Sequence, residues 1–212
     1  MNRVFTADGL LLEARWDLPT SEAAGVAVLC HPHPLQGGTM SAPLMGAVCR
    51  SLTDRGFAVL RFNFRGVGRS EGTWGGGEAE VGDVAAAVSA ARDVMPGLPV
   101  GIAGWSFGAV ASLRWQAGDG SRIPWVGIAP PLRLSTGGTL PGPASLEPAP
   151  RLIVHGDRDQ FTPVDPLREY AASIGSAFEV LRGSDHFFAL REGVVGGIVA
   201  AHLAGRTVVE AE

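Results

Sequence analysis

The pattern Gly-x-Ser-x-Gly at residues 104–108 constrains this chain more than any other segment. The apolar run 98–103 before it predicts a buried strand, and residues 109–115 after it predict a helix with an apolar inner side. A serine at so tight a strand-to-helix turn is held in a strained backbone conformation, with its hydroxyl exposed above the sheet edge. Glycines are needed on either side because strand and helix pass too close for a Cβ atom. This context predicts a nucleophile at Ser106 rather than an ordinary turn.

Candidate partners for this serine follow it along the chain. A serine hydroxyl is a weak nucleophile at its own pKa, so it needs a general base that a carboxylate orients. The apolar strand 152–156 runs into a loop with Asp157 and Asp159, and the short strand 178–181 runs into a loop with His186. A carboxylate on the first loop can reach an imidazole beside the neighbouring strand end. The residues alone leave both aspartates open as the acid.

Four sequence blocks give the chain a wider resemblance. They are Cys-His-Pro-His-Pro at 30–34 with Gly-Gly at 37–38, Arg-Phe-Asn-Phe-Arg-Gly-Val-Gly-Arg-Ser at 61–70, the serine turn, and the paired stretches His-Gly-Asp-Arg-Asp-Gln-Phe-Thr-Pro at 155–163 and Gly-Ser-Asp-His-Phe-Phe at 183–188. Over nearly its whole length the chain resembles small, lidless bacterial α/β-hydrolases of the carboxylesterase type, in which serine, acid and histidine follow in this order. The resemblance implies an α/β-hydrolase fold, with a mostly parallel, twisted sheet of about eight strands, helices on both faces and no cap domain.

The resemblance also implies roles for particular residues. In the family the acid is the aspartate of an Asp-x-x-(Val/Thr)-Pro pattern, which is Asp159 here. Asp157, in the His-Gly-Asp stretch, is then expected to stabilise its loop by accepting hydrogen bonds from backbone N–H groups. His186 is expected to take the proton of Ser106 and later to give one to the leaving group.

Two backbone N–H groups are expected to bind the negative charge that develops on the substrate oxygen. Phe107, the residue after the nucleophile, is expected to supply one of them. By position in the family pattern, His33 supplies the other. Pro32 and Pro34 have no N–H group, so His33 and then Leu35 are the candidates that remain in this loop.

The expected substrate is a small carboxylic ester. Leu35, Phe161 and Phe187 flank the predicted catalytic loops and are candidates for an apolar pocket, although core packing explains each of them equally well. Residues 130–150 are rich in proline and glycine and lack helical periodicity, so we expect no lid and a preference for short to medium acyl chains. The same three catalytic groups would serve a thioester, a lactone or a small amide. A non-catalytic binding module on this fold is the distant alternative.

Several other chemistries are disfavoured by what the chain lacks. All seventeen of its cationic residues are arginine, which excludes the P-loop, kinase, Schiff-base and Ser-x-x-Lys mechanisms that need a lysine. His31 and His33 form a His-x-His pair, but a hydrolytic metal site generally has three or more protein ligands, and no third residue is spaced to join them. The glycines at 66, 68 and 72 miss the spacing of a dinucleotide-binding loop. We therefore predict neither a metal nor a cofactor.

Composition limits the class of protein and its partners. A chain of 212 residues that is 46% hydrophobic is expected to form a single domain over residues 1–212. Its net charge of −4 gives no basic face for nucleic acid, and no apolar segment is long enough to span a membrane. Cys30 and Cys49 are expected to be buried free thiols, for which the cytoplasm is the default location. Both a monomer and a homodimer remain open.

Alternating strand and helix patterns predict the remaining layout. The segment 73–77 is interpreted as a flexible loop, either a plain linker or a mobile rim of the site. His31 and His155 are expected to be hydrogen-bonded strand-end residues, and His202 is expected on the solvent-facing side of the last helix. The predicted elements are an opening hairpin at 4–6 and 10–16, strands at 26–30, 57–63 and 125–129, and helices at 42–55, 78–95, 165–173 and 191–203.

Overall fold

The computed structural model describes residues 3–134 and 138–205, and within them eight strands form one sheet. The strands are β1 (Arg3–Phe5), β2 (Leu11–Asp17), β3 (Gly25–Cys30), β4 (Phe57–Phe62), β5 (Val100–Trp105), β6 (Trp125–Ile128), β7 (Arg151–Gly156) and β8 (Ala177–Leu181). Their order in the sheet is β1-β2-β4-β3-β5-β6-β7-β8. The β1–β2 and β2–β4 pairs are antiparallel, and every later pair is parallel.

Helices cover both faces of this sheet. They are α1 (Pro43–Thr53), α2 (Ala79–Val94), α3 (Phe107–Asp119), α4 (Val164–Ser173) and α5 (Glu192–Leu203). The apolar sides of α1 and α5 share one core cluster with the sheet, and those of α2, α3 and α4 share the other. Because both faces are covered, β3 to β7 are buried along their whole length and are built from near-continuous apolar runs.

The predicted α/β-hydrolase fold is confirmed, including the opening hairpin and the parallel strands after it. Most element bounds move by one or two residues. The helix after the serine turn changes most, from the predicted 109–115 to Phe107–Asp119. The strand before the turn shifts from the predicted 98–103 to Val100–Trp105. It begins after Pro99 because a proline cannot donate to the sheet ladder, and it continues to the residue directly before Ser106.

The segment 130–150 contains no helical lid in the part that the structure describes. Its regular structure there is a single 3₁₀ turn at Pro143–Ser145 and an isolated antiparallel bridge between Arg133 and Thr139. The carboxyl edge of the sheet, where ligands bind in open α/β folds, is therefore left uncovered on this side.

Both cysteines are free and buried, as the sequence predicts. Burial raises the pKa of the Cys30 thiol and raises that of Cys49 to about 11, so neither is a thiolate nucleophile at neutral pH. Among the described helices, none is long and apolar enough to cross a membrane.

Candidate active site

Ser106 occupies the strained turn that the sequence predicts. It lies between the end of β5 and the start of α3, with φ 53° and ψ −115°, a left-handed region that side chains other than glycine rarely adopt. Its N–H donates to the carbonyl of Ile128 on the neighbouring strand at 2.8 Å. Such strain persists only where the surrounding structure imposes it, and it is concentrated at functional sites.

The two glycines of the motif make this turn possible. A Cβ atom on Gly104 would overlap the carbonyl of Gly108, one turn further on. A Cβ atom on Gly108 would overlap the carbonyls of Cys30 and His31, at the end of β3. The serine turn is therefore packed directly against the start of the loop that follows β3, the loop that carries His33.

His186 and Asp159 are joined by a short hydrogen bond. Nδ1 of His186 lies 2.7 Å from Oδ2 of Asp159, whose carboxylate is fully buried. The other carboxylate oxygen accepts the N–H groups of Phe161 at 2.8 Å and Thr162 at 3.0 Å. Burial by itself would raise the pKa of Asp159, but the bond from His186 and these two N–H groups outweigh it and hold the pKa below its usual value. An ionised Asp159 accepts the Nδ1–H of His186 and leaves Nε2 free to take a proton.

Asp157, in the same loop as Asp159, bonds to the backbone and not to His186. Its carboxylate accepts the N–H of Gly183 at 2.6 Å and so ties the acid loop to the histidine loop. A Cβ atom on Gly156 would overlap the carbonyl of Ser184, which shows how closely the two loops pack. The indole N–H of Trp105 donates to the carbonyl of His186 at 3.2 Å and fixes the histidine loop against the end of β5.

Ser106 and His186 line one cavity of about 500 Å³ at this edge of the sheet. Within the described residues the Ser106 hydroxyl makes no hydrogen bond to the imidazole. Bonds between nucleophile and base are often long without substrate and tighten in the reacting complex.

The N–H groups of Phe107 and His33 make no hydrogen bond to any described residue. Phe107 is the first residue of α3, where an N–H has no partner inside the helix. The N–H of Leu35, the other candidate in the proline-rich loop, donates to Nδ1 of His33 at 3.2 Å. His33 is therefore the one of these two residues with a free N–H. Both His33 and Phe107 line the cavity beside Ser106.

Trp74 and Glu80 support this part of the site; the sequence offered 73–77 as a possible rim of the site but indicated no role for Glu80. The Trp74 ring lies 4.8 Å from the ring of His33 and 5.1 Å from that of Phe107. The fully buried carboxylate of Glu80 accepts the N–H groups of Gly75 at 2.7 Å and Gly77 at 2.8 Å. The segment 73–77, interpreted from the sequence as a flexible linker or as a rim of the site, thus packs behind the candidate oxyanion donors. The single tryptophan among the glycines of this segment was the sequence feature that could have indicated this packing.

The predicted substrate residues divide into two groups. Phe161 and Phe187 line the cavity, and both are largely exposed, so core packing does not account for them. The Phe161 ring meets the His186 ring edge to face at 4.7 Å. Leu35 lies outside the cavity lining and is 67% exposed, which corrects its prediction as a pocket residue. Lining residues that the sequence did not suggest include Gln36, Trp105, Arg133 and Leu134.

His31 and His155 both bond to backbone groups of nearby loops. In the described ranges no group of three histidine, cysteine, aspartate or glutamate side chains is placed to hold a metal ion. His31 donates from Nδ1 to the carbonyl of Pro32 at 2.7 Å and accepts the N–H of Phe64 at Nε2 at 3.0 Å, so it is a neutral structural residue. His155 donates to the carbonyl of Thr162 at 2.9 Å.

His202 does not face solvent as predicted. It is half-buried, and burial lowers its pKa. The prediction failed because α5 is apolar on every side, so its sequence marks no solvent-facing stripe.

Residues 21–147 match the family model described as serine aminopeptidase, S33 (Hydrolase_4). The chain is 30% identical to an uncharacterised protein, RP471, of Rickettsia prowazekii (strain Madrid E), over 84% of this chain and 77% of that one.

Two solved structures resemble this chain in both fold and sequence. An alpha-beta serine hydrolase homologue from Coxiella burnetii superimposes with a TM-score of 0.83 at 29% identity, over 95% of each chain. XC6422 of Xanthomonas campestris, described as an a/b serine hydrolase without a lid, superimposes with a TM-score of 0.83 at 26% identity, over 99% of this chain and 95% of that one.

Proposed function

Because this chain belongs to the S33 serine aminopeptidase family of the α/β-hydrolases, we propose that it is a serine hydrolase that cleaves carboxylic esters. The observation that carries the proposal is the 2.7 Å bond between Asp159 and His186, at the cavity into which the strained Ser106 opens. This arrangement supplies a nucleophile, a base and an orienting acid in one place.

The proposed reaction has two halves. The Ser106 oxygen attacks the carbonyl carbon while Nε2 of His186 takes its proton, and the N–H groups of Phe107 and His33 bind the negative oxygen. The intermediate collapses to an acyl-serine as His186 gives its proton to the departing alcohol. A water then attacks the acyl carbon, His186 takes the water proton, and the acid is released as the proton returns to Ser106.

The lining of the cavity favours an ester over the amino-terminal peptide bond that the family name suggests. An aminopeptidase must bind the free ammonium group of its substrate, for which a carboxylate is the natural partner. No aspartate or glutamate lines the cavity among the residues that the structure describes. Its polar groups are His33, Gln36, Ser106, Arg133 and His186, and none of them is an anion that would pair with an ammonium.

Thioesters, lactones and small amides remain substrates of the same chemistry. No contact in the cavity favours one of them over a simple ester. Rates on matched ester, thioester, lactone and anilide substrates, together with an amino-acid anilide, would rank these classes. A dominant rate on the amino-acid anilide would overturn the preference for esters.

The experiment that tests the mechanism is labelling with a fluorophosphonate, which reacts with activated serines. We expect one adduct on the peptide that contains Ser106, and we expect Ser106→Ala to lose both the adduct and p-nitrophenyl acetate hydrolysis. Ser173→Ala, an exposed serine on α4, is the matched control and should label and hydrolyse as the parent does. Labelling that persists in Ser106→Ala, or activity that a chelator removes, would contradict a serine mechanism.

A further inference from the structure

Arg133 gives the lining of the candidate site a positive charge. It lines the same cavity as Ser106 and His186, and it is the lining residue with a permanent charge. Among the described residues no aspartate or glutamate lines this cavity, so nothing in the lining neutralises the guanidinium.

The backbone of Arg133 is held in place on both sides. Arg133 forms the antiparallel bridge with Thr139, and the N–H of Leu134 donates to the carbonyl of Gly138 at 2.6 Å. Leu134 and Leu140 are buried in the core, 4% and 8% exposed, and anchor the two arms of this short loop. The fold therefore sets the position of the backbone from which this side chain reaches the cavity.

Arg133 makes no contact that would explain it as a structural arginine. The buried arginines all have side-chain partners: Arg61 pairs with Asp17 at 2.7 Å, Arg65 pairs with Asp83 at 2.7 Å, and Arg151 donates to Gln116 at 2.8 Å. The side chain of Arg133 is exposed and has no ion pair or hydrogen bond to any described residue. Exposed, unpaired arginines are common on protein surfaces; this one is distinguished by its place at the cavity of the nucleophile.

We propose that Arg133 binds a carboxylate on the substrate, so that the preferred substrates are esters with an anionic group away from the scissile bond. This inference rests on the proposed ester hydrolase function. The planar guanidinium matches a carboxylate with two parallel hydrogen bonds. The apolar rings of Phe161 and Phe187 line the same cavity and suit a hydrocarbon spacer between the two ends of such a substrate. Half-esters of dicarboxylic acids have this chemistry.

The test compares two esters that differ in one terminal group. p-Nitrophenyl hexanoate ends in a methyl group, and the mono-p-nitrophenyl ester of adipic acid ends in a carboxylate on an acyl chain of equal carbon number. We expect Arg133→Gln to lower kcat/KM for the adipate ester by about tenfold, the low end for a charge-assisted hydrogen bond at a solvated position. The loss should lie in KM, because the contact is far from the reacting atoms. The hexanoate ester should change less than twofold.

Two control variants separate local binding from the overall charge of the protein. Arg92→Gln removes an exposed arginine at the end of α2, away from the cavity, and should leave both esters unchanged. Arg133→Lys keeps the positive charge but loses the planar guanidinium that makes two parallel hydrogen bonds, so it should retain part of the preference for the adipate ester.

The outcomes distinguish this inference from the function on which it rests. Equal losses on the two esters in Arg133→Gln, no loss on the adipate ester, or the same loss in Arg92→Gln would overturn the role of Arg133 while leaving ester hydrolysis intact. Failure of the parent protein to hydrolyse either ester would overturn the proposed function and this inference together.

Discussion

Replacing Asp159 by asparagine changes one carboxylate oxygen to an amide NH₂ and leaves the size of the side chain unchanged. The remaining amide oxygen can still accept the N–H groups of Phe161 and Thr162, so the loop should keep its shape. The NH₂ group then faces Nδ1 of His186, the atom that now donates to the acid at 2.7 Å. A ring nitrogen that accepts from this amide must place its proton on Nε2, where it cannot take the proton of Ser106.

The size of the effect follows from the tautomer. An enzyme of this type that loses its orienting acid in this way loses about 10⁴ in kcat, which is about 5.4 kcal/mol at 1.36 kcal/mol per factor of ten. We expect Asp159→Asn to lose activity of that order on p-nitrophenyl acetate. Its thermal unfolding should change little by comparison, because the two backbone contacts of the side chain survive.

Asp157→Asn is the matched control, two residues away. Its carboxylate lies on the surface and accepts one N–H, that of Gly183 at 2.6 Å, which the amide oxygen of asparagine can still accept. The variant should therefore lose less than about 1 kcal/mol of stability and only a few-fold in rate. The assay is kcat for both variants beside a denaturation curve. A small effect for Asp159 with a large one for Asp157, or equal losses in the two, would refute the assignment of the acid.

Two further predictions concern substrate size and acid stability. In a chain-length series of p-nitrophenyl esters, acetate to butyrate should be hydrolysed best, with kcat/KM falling by octanoate. The reason is that an open cleft buries only the first carbons of the acyl chain, and each buried methylene contributes about 0.8 kcal/mol. A maximum at about ten carbons or beyond, or activation at an oil–water interface, would reveal a lid or tunnel. Burial lowers the pKa of His31 from 6.5 to about 4, so the folded state keeps this ring neutral while the unfolded chain takes up a proton. Stability should be full above pH 6.5 and fall as the pH drops towards 4, by at most about 3 kcal/mol at 1.36 kcal/mol per pKa unit. Urea unfolding between pH 8 and 5 measures this loss, which should be smaller in His31→Asn; a flat profile for the parent protein would contradict it.

The parts of the molecule that the sequence predicted are those that local chain geometry determines. The turn at Ser106 needs glycine on both sides whatever surrounds it, and the opening hairpin and parallel strands follow from apolar runs between turn residues. The choice of Asp159 over Asp157 was different in kind, because the residues alone left both open and only the resemblance to the family pattern Asp-x-x-(Val/Thr)-Pro implied Asp159.

The parts that escaped prediction depend on contacts between distant segments. Trp74 lies next to His33 only because Glu80, on α2, holds the intervening glycines. Arg133 reaches the cavity because its loop is pinned to the core by two leucines far from the catalytic motifs. Leu35 failed for the opposite reason: it flanks the motif in sequence, but the 3₁₀ turn that contains it points its side chain to solvent.

The contact of Gly108 with the carbonyls of Cys30 and His31 has a consequence for engineering new specificity. The turn at Ser106 and the loop that carries His33 form one interlocked unit, so a change in either displaces the other. Random mutagenesis there should return mostly inactive protein. Arg133 lines the cavity without taking part in that interlock, whereas the rings of Phe161 and Phe187 pack on the ring of His186. A library at position 133 should therefore vary the contacts to substrate with the least disturbance of Ser106 and His186.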